Sequence, residues 1–394
     1  MNILFLNRSF NKTLPNSICT EMVITEAVNR GHRCMLVTSE GVVFDSSDNL
    51  GYRDVVRCGA KKSSYVQFID KAFFYFTWPN LYSSSHKTLV RNAIDVIETF
   101  KPDVVVGSVL SVESAIACSE IKNMYRNSIK VILYCLDSIL GGPTPSMFTD
   151  KQHDAKAIRF ENKYFINADK IIMMKAAERK YTELTDRLKF SDKISYLDLP
   201  LYIPEKSQLY NILESDSKTI NLLYAGSLPK NIRNPRFFLD SFCKINNRNI
   251  HLFIAGRSDY DDTLKMYANI NPNIHLLGLI TRTQVEDYMR KAHILINIGN
   301  SMPYMMPCKI FEYMSTGKPI ISTIKCNDDI SVQYFDWYNR ALVLSEASDI
   351  NVAGEKMNKF ISEISIINHL PIQDDYLYNN RPSTFVDLIE SINE

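Results

Sequence analysis

Short apolar runs alternate with longer segments of helical periodicity through most of the chain. In the first half the runs are Ile3–Leu6, Cys34–Thr38, Val104–Gly107, Val131–Leu136 and Lys170–Met174. They are rich in Val, Ile and Leu and do not alternate with polar residues. That is how parallel strands buried on both faces read. Between them the spacing predicts helices over Ser17–Arg30, Lys87–Phe100, Ser111–Lys122 and Asp154–Asn167. Gly31 and Pro102 stand where helix stop signals belong.

A second series begins after Pro200 and Pro204. Its predicted strands are Ile220–Ala225, Ile250–Ala255, Ile274–Leu277, Ile294–Ile298, Ile320–Thr323 and Ala341–Leu344. Its predicted helices are Pro235–Cys243, Thr283–Lys291, Cys308–Thr316 and Ile350–Ile364, and Ser383–Asn393 reads as a last helix. Two β-α series in tandem predict an α/β chain of two Rossmann-like, doubly wound parallel-sheet domains facing a central cleft. The expected division is 1–200, a linker at 201–217, 218–375, and a C-terminal helical segment at 376–394. Ligands of such sheets sit at the carboxyl ends of the strands.

Composition narrows the class. A chain of 394 residues exceeds one ordinary core. Hydrophobic content of 45% and charged content of 23% are ordinary for a globular protein. The net charge of +1 gives no pull toward nucleic acid. The first half is mildly basic, which leaves contact with an anionic membrane surface or acceptor open. The eight cysteines are scattered, with no metal spacing, and read as reduced thiols. No apolar run reaches the roughly 18 residues that span a bilayer. The apolar start is too short for a signal sequence. A cytoplasmic protein is expected, with peripheral membrane contact open. The turn after the first strand, Asn7–Lys12, has no glycine, and GxxxxGK[ST] is absent, so neither a dinucleotide fingerprint nor a P-loop is present.

The most informative segment is Asn300–Ile321. A strand runs into a polar loop, and a helix is expected to open near Pro307, where its missing N–H costs nothing. Gly317 ends the helix. A helix start presents unpaired N–H groups to an anion. Pro307, Lys309, Glu312, Tyr313, Gly317, Lys318 and Pro319 form the pattern Pro-x-Lys-x-x-Glu-Tyr-x-x-x-Gly-Lys-Pro. This pattern resembles the donor-site signature of the GT-B glycosyltransferase family four, which includes many bacterial polysaccharide and lipid-linked glycosyltransferases. The resemblance implies that Glu312 binds the ribose hydroxyls of a nucleotide. A carboxylate accepts from both vicinal hydroxyls at once. Tyr304 stands where the family carries a second glutamate facing the transferred sugar.

The loop after Ile220–Ala225 reads Gly226-Ser227-Leu228-Pro229-Lys230-Asn231-Ile232-Arg233. By the same resemblance it brings a cation to the diphosphate. Arg233, just before a helix, fits best, and Lys230 is second. A guanidinium matches phosphate oxygens in pairs and offsets charge on the leaving diphosphate. Ser227 stands where the family often has an arginine after Gly226. Gly256-Arg257 and Gly278-Leu279 follow the next two strands. Arg257 suits a phosphate or base, and the Gly278 turn suits the nucleobase.

The first half carries fewer signals. Glu161–Met174 is similar to the family's helix-then-strand run and supports the fold. Asp137, after Val131–Leu136, stands near where the family carries a polar residue facing the reacting centre. His153 is expected on the surface. The stretch Tyr65–Tyr82 reads as core packing, or as an apolar patch for a lipid-linked acceptor. Adjacent acid pairs lack metal spacing, so no metal and no cofactor are expected. The family's C-terminal helix packs back on its first domain.

Together these readings imply an enzyme that moves a sugar from a nucleoside diphosphate sugar to a hydroxyl of a glycan or lipid-linked acceptor. Retention at the anomeric carbon and a role in cell-surface polysaccharide or glycoconjugate synthesis follow from the resemblance. Two other readings share the fold: a non-catalytic partner of another glycosyltransferase, motivated by Tyr304 and Ser227, and a nucleotide-sugar epimerase.

Overall fold

A computed structural model describes residues 1–10, 15–39, 43–45, 74–79, 85–109, 112–142, 144–207, 219–245, 247–301, 306–326, 329–368, 370 and 372–393. Tyr304, positions 208–217 of the expected linker, and all but positions 74–79 of the Tyr65–Tyr82 stretch lie outside the described residues. Two compact units result: Met1–Pro200 with Asn379–Glu394, and Leu201–Tyr378.

The first unit holds strands β1 (Asn2–Asn7), β2 (Arg33–Thr38), β3 (Val43–Asp45), β4 (Val104–Val109), β5 (Lys130–Cys135), β6 (Lys170–Met174) and β7 (Ile194–Leu197). They form one sheet in the order β3-β2-β1-β4-β5-β6-β7. All neighbours run parallel except β2 and β3, which pair antiparallel. The two edge strands were not expected. β3 has three residues, and β7 leaves three of its four half-buried, so neither carries the long apolar run of an inner strand.

Helices α1 (Pro15–Asn29), α2 (Ser85–Phe100), α3 (Val112–Tyr125), α4 (Asp150–Tyr164) and α5 (Glu178–Glu183) cover this sheet. α4 starts four residues before its predicted start because Thr149 and Gln152 form a capping box there. This start places His153 inside the helix. His153 is 2% exposed, not on the surface, and its ring lies 5.0 Å from that of Trp78.

The second unit holds β8 (Ile220–Ala225), β9 (Ile250–Ala255), β10 (Ile274–Gly278), β11 (Ile294–Ile298), β12 (Ile320–Ile324) and β13 (Ala341–Ser345) in the order β10-β9-β8-β11-β12-β13, all parallel. β11 and β12 are buried along their whole length, as their unbroken apolar runs require. The connecting helices are α6 (Arg236–Phe242), α7 (Asp261–Ile270), α8 (Arg282–Lys291), α9 (Lys309–Ser315), α10 (Val332–Trp337) and α11 (Ile350–Ser362). Thr281 and Gln284 cap α8, and Asp349 caps α11. α7 and α10 were not predicted.

The last helix, α12 (Pro382–Glu390), belongs to the first unit. Arg30, at the end of α1, donates through Nη1 to Asp387 Oδ1 at 2.6 Å and Glu390 Oε2 at 2.8 Å, and through Nη2 to the Ser383 carbonyl at 3.1 Å. Phe385 meets Tyr134 of β5 edge-on at 5.1 Å. No described helix is long and apolar enough to cross a membrane.

Candidate functional site

The carboxyl ends of the second sheet's strands are stitched together by their own loops. Gly226 N donates to the Ala255 carbonyl at 2.9 Å, and Gly256 N donates to the Gly278 carbonyl at 2.8 Å. The loops after β8, β9 and β10 therefore lie side by side. Glycine is required at position 256. Its φ is +130°, and a Cβ there would stand 2.0 Å from the Gly226 carbonyl oxygen. Gly256→Ala must push the β8 and β9 loops apart. It is expected to cost roughly 2–3 kcal/mol, read as a drop in thermal midpoint. A variant that melts with the wild type would show that the two loops separate freely.

The loop from Gly226 to Arg233 folds as a compact turn. Ile232 N and Arg233 N both donate to the Pro229 carbonyl at 3.0 Å. The Tyr224 hydroxyl donates to the Ser227 carbonyl at 2.9 Å. Arg233 closes the turn, donating through Nη1 to the same carbonyl at 3.2 Å and through Nε to Asn300 Oδ1 at 2.9 Å. Asn300 follows β11 and is buried. Burial pushes the Tyr224 hydroxyl up to about 12, against the pull of Arg233. Arg233 is thus held by its own loop and by the loop after β11, and these two bonds use two of its five N–H groups.

Tyr313 fixes the other half of the site. It lies on α9, and its hydroxyl bridges the main chain of Ala225, accepting from N and donating to O at 3.2 Å each. Burial raises this phenol, and the charges of both Glu312 and Arg233 act on it. Tyr313 thereby ties α9, which carries Glu312, to the end of β8, whose loop carries Arg233.

Glu312 Oε1 accepts from Arg282 Nη2 of α8, and Oε2 faces Lys309 Nζ at 3.4 Å. Burial alone would raise the Glu312 carboxyl. Lys309, Arg282 and Lys206 outweigh it and hold it at about 2. The carboxylate is ionised at any physiological pH. Each oxygen keeps a lone pair beyond its ion pair, so it remains an acceptor for hydroxyl donors.

Other expected positions fall as follows. α9 begins at Lys309 and has seven residues, so Pro307 lies two residues ahead of it and is buried. The helix thus opens near Pro307, within one residue of the predicted Cys308, and so short a helix shifts the burden of an anion onto side chains. Gly317, with φ +69°, ends α9 as its sequence predicts. Gly278 has φ +64° at the end of β10, and Leu279 beyond it is 69% exposed. Arg257 and Ser227 are exposed at this edge. Lys230 is exposed too, its N–H bonded to Asp259 Oδ2 at 3.0 Å and its carbonyl to the Tyr260 hydroxyl at 2.8 Å. Asp137 belongs to the first unit. It is exposed after β5, and burial of its surroundings raises its carboxyl.

Tyr224, Arg282, Asn300, Ser301, Tyr313 and Lys325 were missed as site-building residues. All but Tyr224, whose hydroxyl meets Ser227, act through a partner far along the chain, so no spacing signals them. Among the described residues, no three His, Cys, Asp or Glu side chains group in a way that holds a metal ion.

Known proteins define the class. The fold is that of the GT-B glycosyltransferases. HepE from Anabaena in complex with UDP matches with a TM-score of 0.60 and 13% identity, over 99% of this chain and 99% of that chain. Sucrose-phosphate synthase from Thermosynechococcus elongatus matches at 0.59 and 11%, over 100% and 99%. WaaG, a glycosyltransferase involved in lipopolysaccharide biosynthesis, matches at 0.57 and 12%, over 98% and 99%. At such identities the likeness is one of fold. Residues 219–349 match the family of glycosyl transferases group 1, which bears out the resemblance drawn from residues 307–319. No curated protein sequence matches the chain.

Proposed function

We propose that the protein transfers a glycosyl unit from a nucleoside diphosphate sugar to a hydroxyl acceptor. The observation that carries this reading is the pair Glu312 and Arg233. An ionised carboxylate on α9, which Tyr313 ties to the end of β8, and an anchored guanidinium in the loop after β8 belong to one strand-end edge, within the segment that matches glycosyl transferases group 1. Glu312 accepts from the ribose hydroxyls. Arg233 meets the diphosphate, and Lys309 adds positive potential nearby. Gly278 and Leu279 border the base, with Arg257 beside them. HepE holds UDP, which makes UDP the first nucleotide to test.

The protein's task in this chemistry is orientation and charge stabilisation. Negative charge builds on the diphosphate as the sugar departs, and Arg233 is already in place to offset it. Transfer proceeds with retention, the departing phosphate taking the acceptor's proton, so no resident metal and no separate base are called for. Asp137 is assigned to the acceptor, a glycan or lipid-linked hydroxyl met in the cytoplasm or at the inner face of the membrane. The mildly basic first half of the chain supports such a surface. The product belongs to cell-surface polysaccharide or glycoconjugate synthesis.

Glu312 gives the test. Glu312→Gln keeps the shape of the side chain and removes its charge. It is expected to weaken nucleotide binding and to lower turnover at limiting donor by roughly tenfold or more. Isothermal titration with UDP and initial rates at low donor concentration measure both. Unchanged turnover there would sink the ribose assignment.

A further inference from the structure

We propose that Lys325 is a second diphosphate-binding cation of this site; the inference rests on the nucleotide-sugar reading above. A nucleoside diphosphate sugar carries about two negative charges and gains more on the diphosphate as the sugar leaves. Arg233 supplies one positive charge, and two of its N–H groups are spent on Asn300 and Ser227. Lys230 is exposed, and its main chain is tied to Asp259 and Tyr260 on the β9 side.

Lys325 directly follows β12, at the same carboxyl edge of the sheet. Its Nζ donates to Ser301 Oγ at 2.7 Å. Ser301 in turn reaches back to Arg233's neighbour. Its N–H and its hydroxyl both donate to the Ile232 carbonyl, at 2.7 and 2.9 Å. The pair Asn300-Ser301 therefore carries one cation on each residue. Arg233 rests on Asn300 and Lys325 on Ser301.

The strand order assigns Lys325 its end of the ligand. Along the edge the loops run β10, β9, β8, β11, β12. The turn at Gly278 follows β10, Arg233 follows β8, Asn300 follows β11 and Lys325 follows β12. Lys325 is thus on the side of Arg233 away from the loop assigned to the base. The distal phosphate, the one bonded to the sugar, lies on that side. The carboxyl that feels Lys325 is Glu346, which is itself raised by burial and takes a hydrogen bond from Thr323 Oγ1 at 3.4 Å. Glu346 and Lys325 do not form an ion pair among the described contacts, and Ser301 takes one of the three Nζ donors, which leaves the others to meet an anion.

The test compares diphosphates with monophosphates. UDP, GDP and ADP, each beside its monophosphate, are titrated calorimetrically into the wild type, Lys325→Ala, Lys325→Met and Lys325→Arg. For the base that binds, Lys325→Ala and Lys325→Met are expected to weaken the diphosphate on the order of tenfold. The monophosphate is expected to stay within about twofold, because Lys325 faces the distal phosphate. Lys325→Arg retains most of the diphosphate affinity. The Met variant keeps the aliphatic stem, so it reads the charge even where Ala disturbs the loop. Equal losses for both nucleotides, or none for either, would overturn the assignment of Lys325 and leave the nucleotide-sugar reading standing. A wild type that binds none of the three diphosphates would overturn that reading, and this inference with it.

Discussion

Arg233→Ala is expected to lower turnover by roughly 10²- to 10³-fold with the fold intact. The guanidinium is held in advance by Asn300 Oδ1 and the Ser227 carbonyl, so it needs no reorganisation as charge develops on the leaving group. Preorganised charge of this kind acts mainly in the transition state, so kcat should fall more than donor affinity. The turn keeps its other ties: the hydrogen bonds to the Pro229 carbonyl and from the Tyr224 hydroxyl to Ser227 do not involve the Arg233 side chain. Arg233→Lys keeps the charge and loses the forked geometry, and an intermediate rate is expected. Steady-state kinetics with a thermal melt on each variant decide it. A variant without Arg233 that turns over at the wild-type rate would remove this residue from the reaction.

Glu161→Ala is expected to produce the largest loss of stability in the first unit, roughly 3 kcal/mol or more. Glu161 is 0% exposed. Its Oε1 accepts from Ile139 N and Leu140 N at 3.1 Å each, and both oxygens accept from the Tyr181 hydroxyl at 2.8 Å. Alanine leaves two main-chain N–H groups and a buried hydroxyl without an acceptor. Those N–H groups belong to the loop that begins at Asp137, so the loop should loosen as well.

The same carboxyl gives a pH signature. Burial raises it from its ordinary 4.5 to about 7, against the hydrogen bonds that favour its charged form. Between these two values the folded protein holds a proton that the unfolded chain has released. Stability therefore declines as pH rises through that window and levels off above it. Glu161→Gln keeps an acceptor oxygen of the same size and cannot titrate. Its denaturation midpoint is expected to lose this component of the slope between about pH 4.5 and 7. Denaturant melts at a series of pH values compare the two proteins, and parallel profiles would show that Glu161 does not titrate in this range.

Much of the fold was legible because buried parallel strands write themselves as unbroken apolar runs. Ile220–Ala225, Ile250–Ala255, Ile294–Ile298 and Lys170–Met174 stand in the structure with the bounds the pattern predicts. Three of the misses share one cause. β3 and β7 are short strands at a sheet edge, and α10 has six residues, so none repeats a pattern long enough to be told from a loop. α4 was misplaced at its start because the cap at Thr149 decided the boundary rather than the apolar spacing.

The site divides in the same way. The sequence by itself determined the glycine turns, the order of strands and loops, and the segment from Pro307 to Pro319 that contains Glu312, because these depend on neighbours within a few residues. Only the tertiary structure decided what Glu312 and Arg233 are. Glu312 is an ionised group between Arg282 and Lys309, and Arg233 is anchored on Asn300, 67 positions away. It alone placed Lys325 beside Ser301 and showed Tyr313 bolting α9 to the end of β8. A charge acts over ångströms of space, not along the chain. Which cations surround a carboxylate, and which carbonyl holds an arginine, are set by how the strands are laid side by side.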